Sequence, residues 1–205
     1  MAIGPSIKGA MIGRLVEDAR ALLARNEPDR ERLEAQLSEE SRALLVGKPE
    51  MGRWYPIGHY TEITELLWRE EGGGRIEYLH RRGANILEKL MDAGLYQQLD
   101  YMNRQGSGTQ RRATRDDILR TCRLVGSITG AVRNFGCDSW EWDPDQPDCM
   151  LHHVREASHF PEVLRFVSEG AESYLVHLHR PESPPVRSER RTADHIVFTS
   201  DFSGA

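Results

Sequence analysis

No stretch of the 205-residue chain is apolar for long enough to cross a bilayer. The longest uncharged runs, such as 124–132, fall far short of the roughly 20 residues that a spanning helix needs. Cysteine is scarce: Cys122, Cys137 and Cys149 are the full set. An odd, small number suits reduced intracellular thiols better than a disulfide framework. The first ten residues lack the apolar core of a secretory signal, so the expected location is the cytoplasm. Basic charge is also in deficit, with 27 Lys and Arg against 32 Asp and Glu and a net charge of -5. A general nucleic-acid or anionic-membrane binder needs the opposite balance, because its affinity comes from displacing phosphate counterions.

The signatures of common chemistries are missing too. There is no G-x-S-x-G elbow, no Walker loop, no G-x-G-x-x-G after a strand, no CxxC and no HExxH. Gly106-Ser107-Gly108 falls in a polar loop, and the triple glycine 72–74 reads as a linker between helices. The carboxylate pairs Asp143/Asp145 and Glu39/Glu40 fall in turns or on helix surfaces, where solvation is the default. No reaction class emerges, and the expectation leans away from an enzyme. No cofactor is expected.

What is present is a foldable chain, 39% hydrophobic and 29% charged, of a length that suits one domain. Met11, Leu15, Ala19, Leu22 and Leu23 repeat at helical spacing and predict a helix over 7–25. Asn26 and Pro28 open a second helix carrying Leu33 and Leu37, and Ser38 caps a short third one before Gly47. Arg53-Trp54-Tyr55-Pro56-Ile57 reads as a buried aromatic connector, since a proline disfavours helix for the residue before it. A helix through Tyr60, Ile63, Leu66 and Leu67 and a longer one from Ile76 to Leu90 follow. Residues 95–102 are read as a short helix and 104–113 as a surface loop. Thr114 with Asp116 and Asp117 starts another helix, through Cys122 to Val132.

The pattern then changes. Segments 137–142 and 149–155 read as strands joined by an Asp- and Pro-rich turn, and Phe160-Pro161 opens a helix ending near Gly170. Alternation over 174–179 predicts a third strand, 181–191 a proline- and arginine-rich loop, and 195–199 a final strand. The fold class is α+β: an N-terminal bundle of about six helices, then a small antiparallel β-β-α-β-β unit. One domain over 1–205 is expected, helical over 1–136 and sheet-containing over 137–200.

Candidate sites follow from residue chemistry. His152, His153 and His159 lie near Cys149, and His177 and His179 share one face if their segment is a strand. With His195, these make Cys149, His153, His177, His179 and His195 a candidate zinc set, though solvated or core-edge histidines are the commoner outcome. Trp54, Tyr55, Cys122, Trp140 and Trp142 are candidates to line a pocket for a small apolar ligand, with core packing the default. Arg111, Arg112 and Arg115 form one basic cluster and Arg187, Arg190 and Arg191 another. Both suit an acidic protein partner, recognised by forked guanidinium donors.

Four segments carry a family resemblance: Trp54-Tyr55-Pro56, Leu79-His80-Arg81-Arg82-Gly83, Phe160-Pro161 with Glu169-Gly170, and the closing 194–198 strand. Together with the element order over 7–200, they resemble the haem-nitric oxide/oxygen-binding (H-NOX) fold and its four-vinyl-reductase-like relatives, including a set of myxobacterial paralogues. The resemblance implies a haem hung from a histidine on the long helix before the sheet, with its propionates held by Tyr-x-Ser-x-Arg. Here residues 114–136 contain no histidine, and the matching connection reads His153-Val154-Arg155-Glu156-Ala157-Ser158-His159. Haem needs an axial donor, and Cys122 alone is more often a core residue. The expectation is therefore an H-NOX-like shell without haem, serving as a non-enzymatic sensor or adaptor with a protein partner. The alternatives are a zinc-dependent binder or enzyme on the sheet histidines, or a structural subunit, with homo-oligomers allowed.

Overall fold

The computed structural model describes residues 4–92 and 114–203. Strand β1 (Ser6–Lys8) pairs antiparallel with β2 (Trp54–Pro56), Ile7 opposite Tyr55. The Trp54 segment is therefore strand rather than a bare connector. Helix α1 (Gly9–Arg25) buries Ile12, Leu15, Val16, Ala19, Leu22 and Leu23, an apolar stripe at 3–4 residue spacing. The second helix is split: Pro28 sits in a 3-10 turn (Glu27–Asp29), and α2 (Arg30–Glu34) follows. In α3 (Glu39–Val46), the Ser38 hydroxyl accepts from the Ser41 N–H, as its sequence position predicts. Helix α4 (Ile57–Glu70) runs into the glycine turn, where Gly73 and Gly74 take positive φ of 59° and 70°.

Helix α5 (Ile76–Asp92) follows, and then α6 (Arg115–Gly130). Thr114 and Asp117 form a reciprocal capping box at the start of α6, each side chain bonding the other's backbone N–H. The expected helix at 95–102 and loop at 104–113 lie outside the described residues.

Four strands make the second sheet, β3 (Cys137–Trp142), β4 (Cys149–Arg155), β5 (Arg187–Thr192) and β6 (His195–Asp201), in the order β3-β4-β6-β5 and antiparallel throughout. Two expectations need correcting. Residues 174–179 are not a strand but the last turns of α7 (Glu162–His179), which runs straight through Gly170. The arginine-rich stretch expected to be loop supplies β5 instead. The β-β-α-β-β order survives with different residues in its third strand, and the class is α+β.

Helices α5 and α7 cross at very close range. A Cβ at Gly83 would stand 1.8 Å from the Val167 carbonyl oxygen, and one at Gly170 would stand 1.9 Å from that of His80. Both glycines lie in the segments that carry the family resemblance. Beside the crossing, the buried Glu169 carboxylate accepts from His80 Nε2 at 2.7 Å and from the Ser188 N–H on β5 at 2.8 Å. Arg165 also donates to it at 3.3 Å. Helices α6 and α7 cover the inner face of the sheet, and one continuous core runs from Ile7 on β1 to Phe202 after β6.

Candidate functional site

Strand register builds the centre of the inner face. Trp140 on β3 lies opposite His152 on β4, which lies opposite Phe198 on β6. Inner-face side chains on neighbouring strands stand about 5 Å apart, so three flat rings in one row must stack. The Trp140 and His152 rings lie 4.3 Å apart and nearly parallel, and the His152 and Phe198 rings 5.2 Å apart. On its other side Trp140 meets α6: a Cβ at Gly126 would be 2.0 Å from its ring.

Charge closes the stack at its edges. His152 Nε2 bonds Asp138 at 2.9 Å and Nδ1 bonds Glu172 of α7 at 2.8 Å. Arg133 in turn donates to Asp138. All four side chains are largely buried. Burial opposes a charge on His152, but Glu172 and Asp138 outweigh it and raise the imidazole to about 9. Burial likewise opposes a charge on Asp138, and His152 and Arg133 outweigh it to hold its carboxyl below the usual carboxylate range. The unit at neutral pH is Arg133⁺–Asp138⁻–His152⁺–Glu172⁻, an imidazolium held between two aromatic rings. Cys122 on α6 faces the same interior. Burial, and then Glu172, push its thiol up to about 12, so it stays protonated.

The pocket candidates lie at two places. Trp54 and Tyr55 belong to β2, where Lys8 sits 5.2 Å over the Trp54 ring and the Tyr55 hydroxyl accepts from the Glu50 N–H at 2.9 Å. Cys122, Trp140 and Trp142 belong to the α6–β3 layer, and Trp142 meets Phe202 edge-on at 5.5 Å. Of the arginines, Arg111 and Arg112 lie outside the described residues. Arg115 pairs with Asp148 at 3.2 Å and overlies Trp142. Arg187 and Arg191 are exposed on β5, while Arg190 turns inward to Glu162 and the Phe160 and Ala157 carbonyls.

The metal candidates are dispersed. Cys149 is buried near Gln146, and His177 reaches the Ser183 carbonyl from α7 at 2.9 Å. His179 is also on α7, its pKa lowered by burial and then by Arg180. Because they sit on a helix, His177 and His179 do not share a strand face. His153 and His195 meet on the outer face of the sheet, Nδ1 to Nε2 at 3.1 Å, with Glu141 at 3.1 Å from the other His153 nitrogen. Among the described residues, no group of three or more His, Cys, Asp or Glu side chains is placed to hold a metal ion.

Sequence reasoning passed over His152, Asp138, Glu172 and Arg133 as a unit. The one available signal was alternation along β4, which sends His152 inward and His153 outward.

The sequence matches no family profile, and no curated protein matches it. Comparison of folds does find a similar solved structure: the crystal structure of an Fe(II) unliganded H-NOX protein from K. algicida, an alanine-to-glycine mutant. The two align over 95% of this chain and 96% of that one, with a TM-score of 0.56 and 9% sequence identity. This chain has an H-NOX-like fold.

An H-NOX-like fold raises the question of haem, which can be put to the residues. Helix α6 precedes the sheet, and its buried residues are Ile118, Thr121, Cys122 and Gly126. It offers no imidazole, and its one sulfur is a protonated thiol. Trp140 lies against Gly126, leaving no slot between α6 and β3 at that point. These residues do not fit a haem.

Proposed function

We propose that this chain is a non-enzymatic regulatory module, a sensor or adaptor of H-NOX-like fold that works without haem through contacts with a protein partner. The single observation behind this reading is the Trp140–His152–Phe198 stack. It fills the sheet face opposite α6, the helix from which the resemblance would hang a haem, with side chains tied into a charge-balanced network. With that interior filled, the module's surfaces are left for recognition. The exposed Arg187 and Arg191 on edge strand β5, with Arg115 near the β3–β4 turn, offer guanidinium donors to an acidic partner.

Absorption spectroscopy tests the reading. Purified protein titrated with ferric haem and then reduced should give the spectrum of free haem throughout. A saturating Soret band at one haem per chain would overturn it.

A further inference from the structure

Between α1 and α5 the surface opens into a cavity of 320 Å³. That is the small end of the roughly 300–1,000 Å³ typical of ligand sites. None of the apolar-pocket candidates borders it. Its lining is basic, although the chain as a whole carries a net charge of -5. Five cationic side chains surround it, Arg14, Arg25, Arg81, Arg82 and Lys89. Two carboxylates stand against them, Asp18 and Glu71, leaving an excess of three positive charges.

The two carboxylates are already engaged. Asp18 accepts from Arg82 and lies 3.4 Å from Arg14. Glu71 accepts from Arg25 and from the Tyr78 hydroxyl. The cations are less fully used. Arg81 and Lys89 are exposed and make no ion pair among the described residues. Together with Asn85 they recur every four residues, which puts them on one face of α5. Arg82 is mostly buried, fixed by Asp18, and its Nε is buried without an acceptor. Cations scattered over a solvated helix would repel one another outward. These converge from two helices on one concavity, with a fixed guanidinium at its base.

We propose that this cavity binds a small organic phosphate. A phosphate monoester carries about two negative charges at neutral pH, within the excess the cavity holds. Forked guanidinium donors match its oxygens, and the Asn85 amide adds a further donor. Tyr78 and Ile86 give the organic portion an apolar wall. The site goes beyond the regulatory reading above and stands apart from the haem question.

The test is isothermal titration of the full chain with glycerol 3-phosphate and with inorganic pyrophosphate, at constant ionic strength set by chloride. Saturable binding of glycerol 3-phosphate is expected, and binding of pyrophosphate alone would overturn the assignment to an organic phosphate. The double variant Arg81→Gln/Lys89→Gln should weaken glycerol 3-phosphate binding at least about ten-fold. Both positions are exposed, so the unliganded variant should keep its unfolding midpoint. A parallel arm uses vesicles carrying phosphorylated inositol lipid: binding to the soluble esters without co-sedimentation supports a free ligand. No saturable binding, undiminished binding in the double variant, or binding to vesicles alone would overturn the proposal.

Discussion

The indole of Trp140 rests on the backbone of Gly126, so close that a methyl added at Gly126 would stand 2.0 Å from the ring. The Trp140–Gly126 contact seats the strand against the helix, and the rest of the stack lies behind that seat.

Gly126→Ala should therefore displace the indole and cost about 1–3 kcal/mol, the usual cost of overpacking. The cost should fall when Trp140 is also shortened to Leu. Denaturant unfolding of the two single variants and the double variant measures it. Strict additivity would mean that the two residues do not compete for the same space.

At the α5–α7 crossing the obstacle is backbone, which cannot swing aside as a ring can. Gly83→Ala and Gly170→Ala should each destabilise by about 2 kcal/mol or more. No side-chain truncation nearby should rescue them. A cost below about 0.5 kcal/mol in thermal or chemical unfolding would show the helices to be further apart.

Removing His152 should be more costly than removing a neutral ring of its size. His152→Phe keeps an aromatic in the stack but strands Glu172 without a partner. The loss expected on breaking a buried pair is about 3–5 kcal/mol. His152→Phe combined with Glu172→Gln should recover part of it.

Stability should also carry the signature of a raised histidine. The imidazole rises from an ordinary 6.5 to about 9 on folding. Its contribution is fully present below pH 6.5 and is lost as pH climbs through about 9. Of the order of 3 kcal/mol should disappear over that window, and His152→Phe should flatten it. Below pH 6.5 the half-buried His179, its pKa lowered on folding, pulls the other way. Unfolding free energies measured from pH 5 to 9.5 should therefore peak near pH 6.5.

Much of the helical half was legible in local chemistry. Ser38 and Thr114 cap helices because their hydroxyls precede acidic first turns, and that signal needs no tertiary contact. Gly170 misled for the opposite reason. Locally a glycine marks a helix end, but here it lets α7 pass the His80 carbonyl, 90 residues away in sequence, so the helix continues through 174–179. Strand β5 was hidden because an edge strand reading Arg-Ser-Glu-Arg-Arg-Thr carries charged and polar residues in place of the apolar alternation that announces a strand. The site was least legible. Asp138 and Glu172 stand 14 and 20 residues from His152, and only strand register and the position of α7 bring them together.

The account rests on His152 being a buried imidazolium with both ring nitrogens engaged, and histidine-selective ¹⁵N NMR reads that state directly. A doubly protonated ring at pH 7, with two slowly exchanging N–H protons and a midpoint near pH 9, is the predicted result. A ring that titrates near 6.5 and exchanges freely with water would contradict the account, because it would mean that the interior between α6, α7 and the sheet is open.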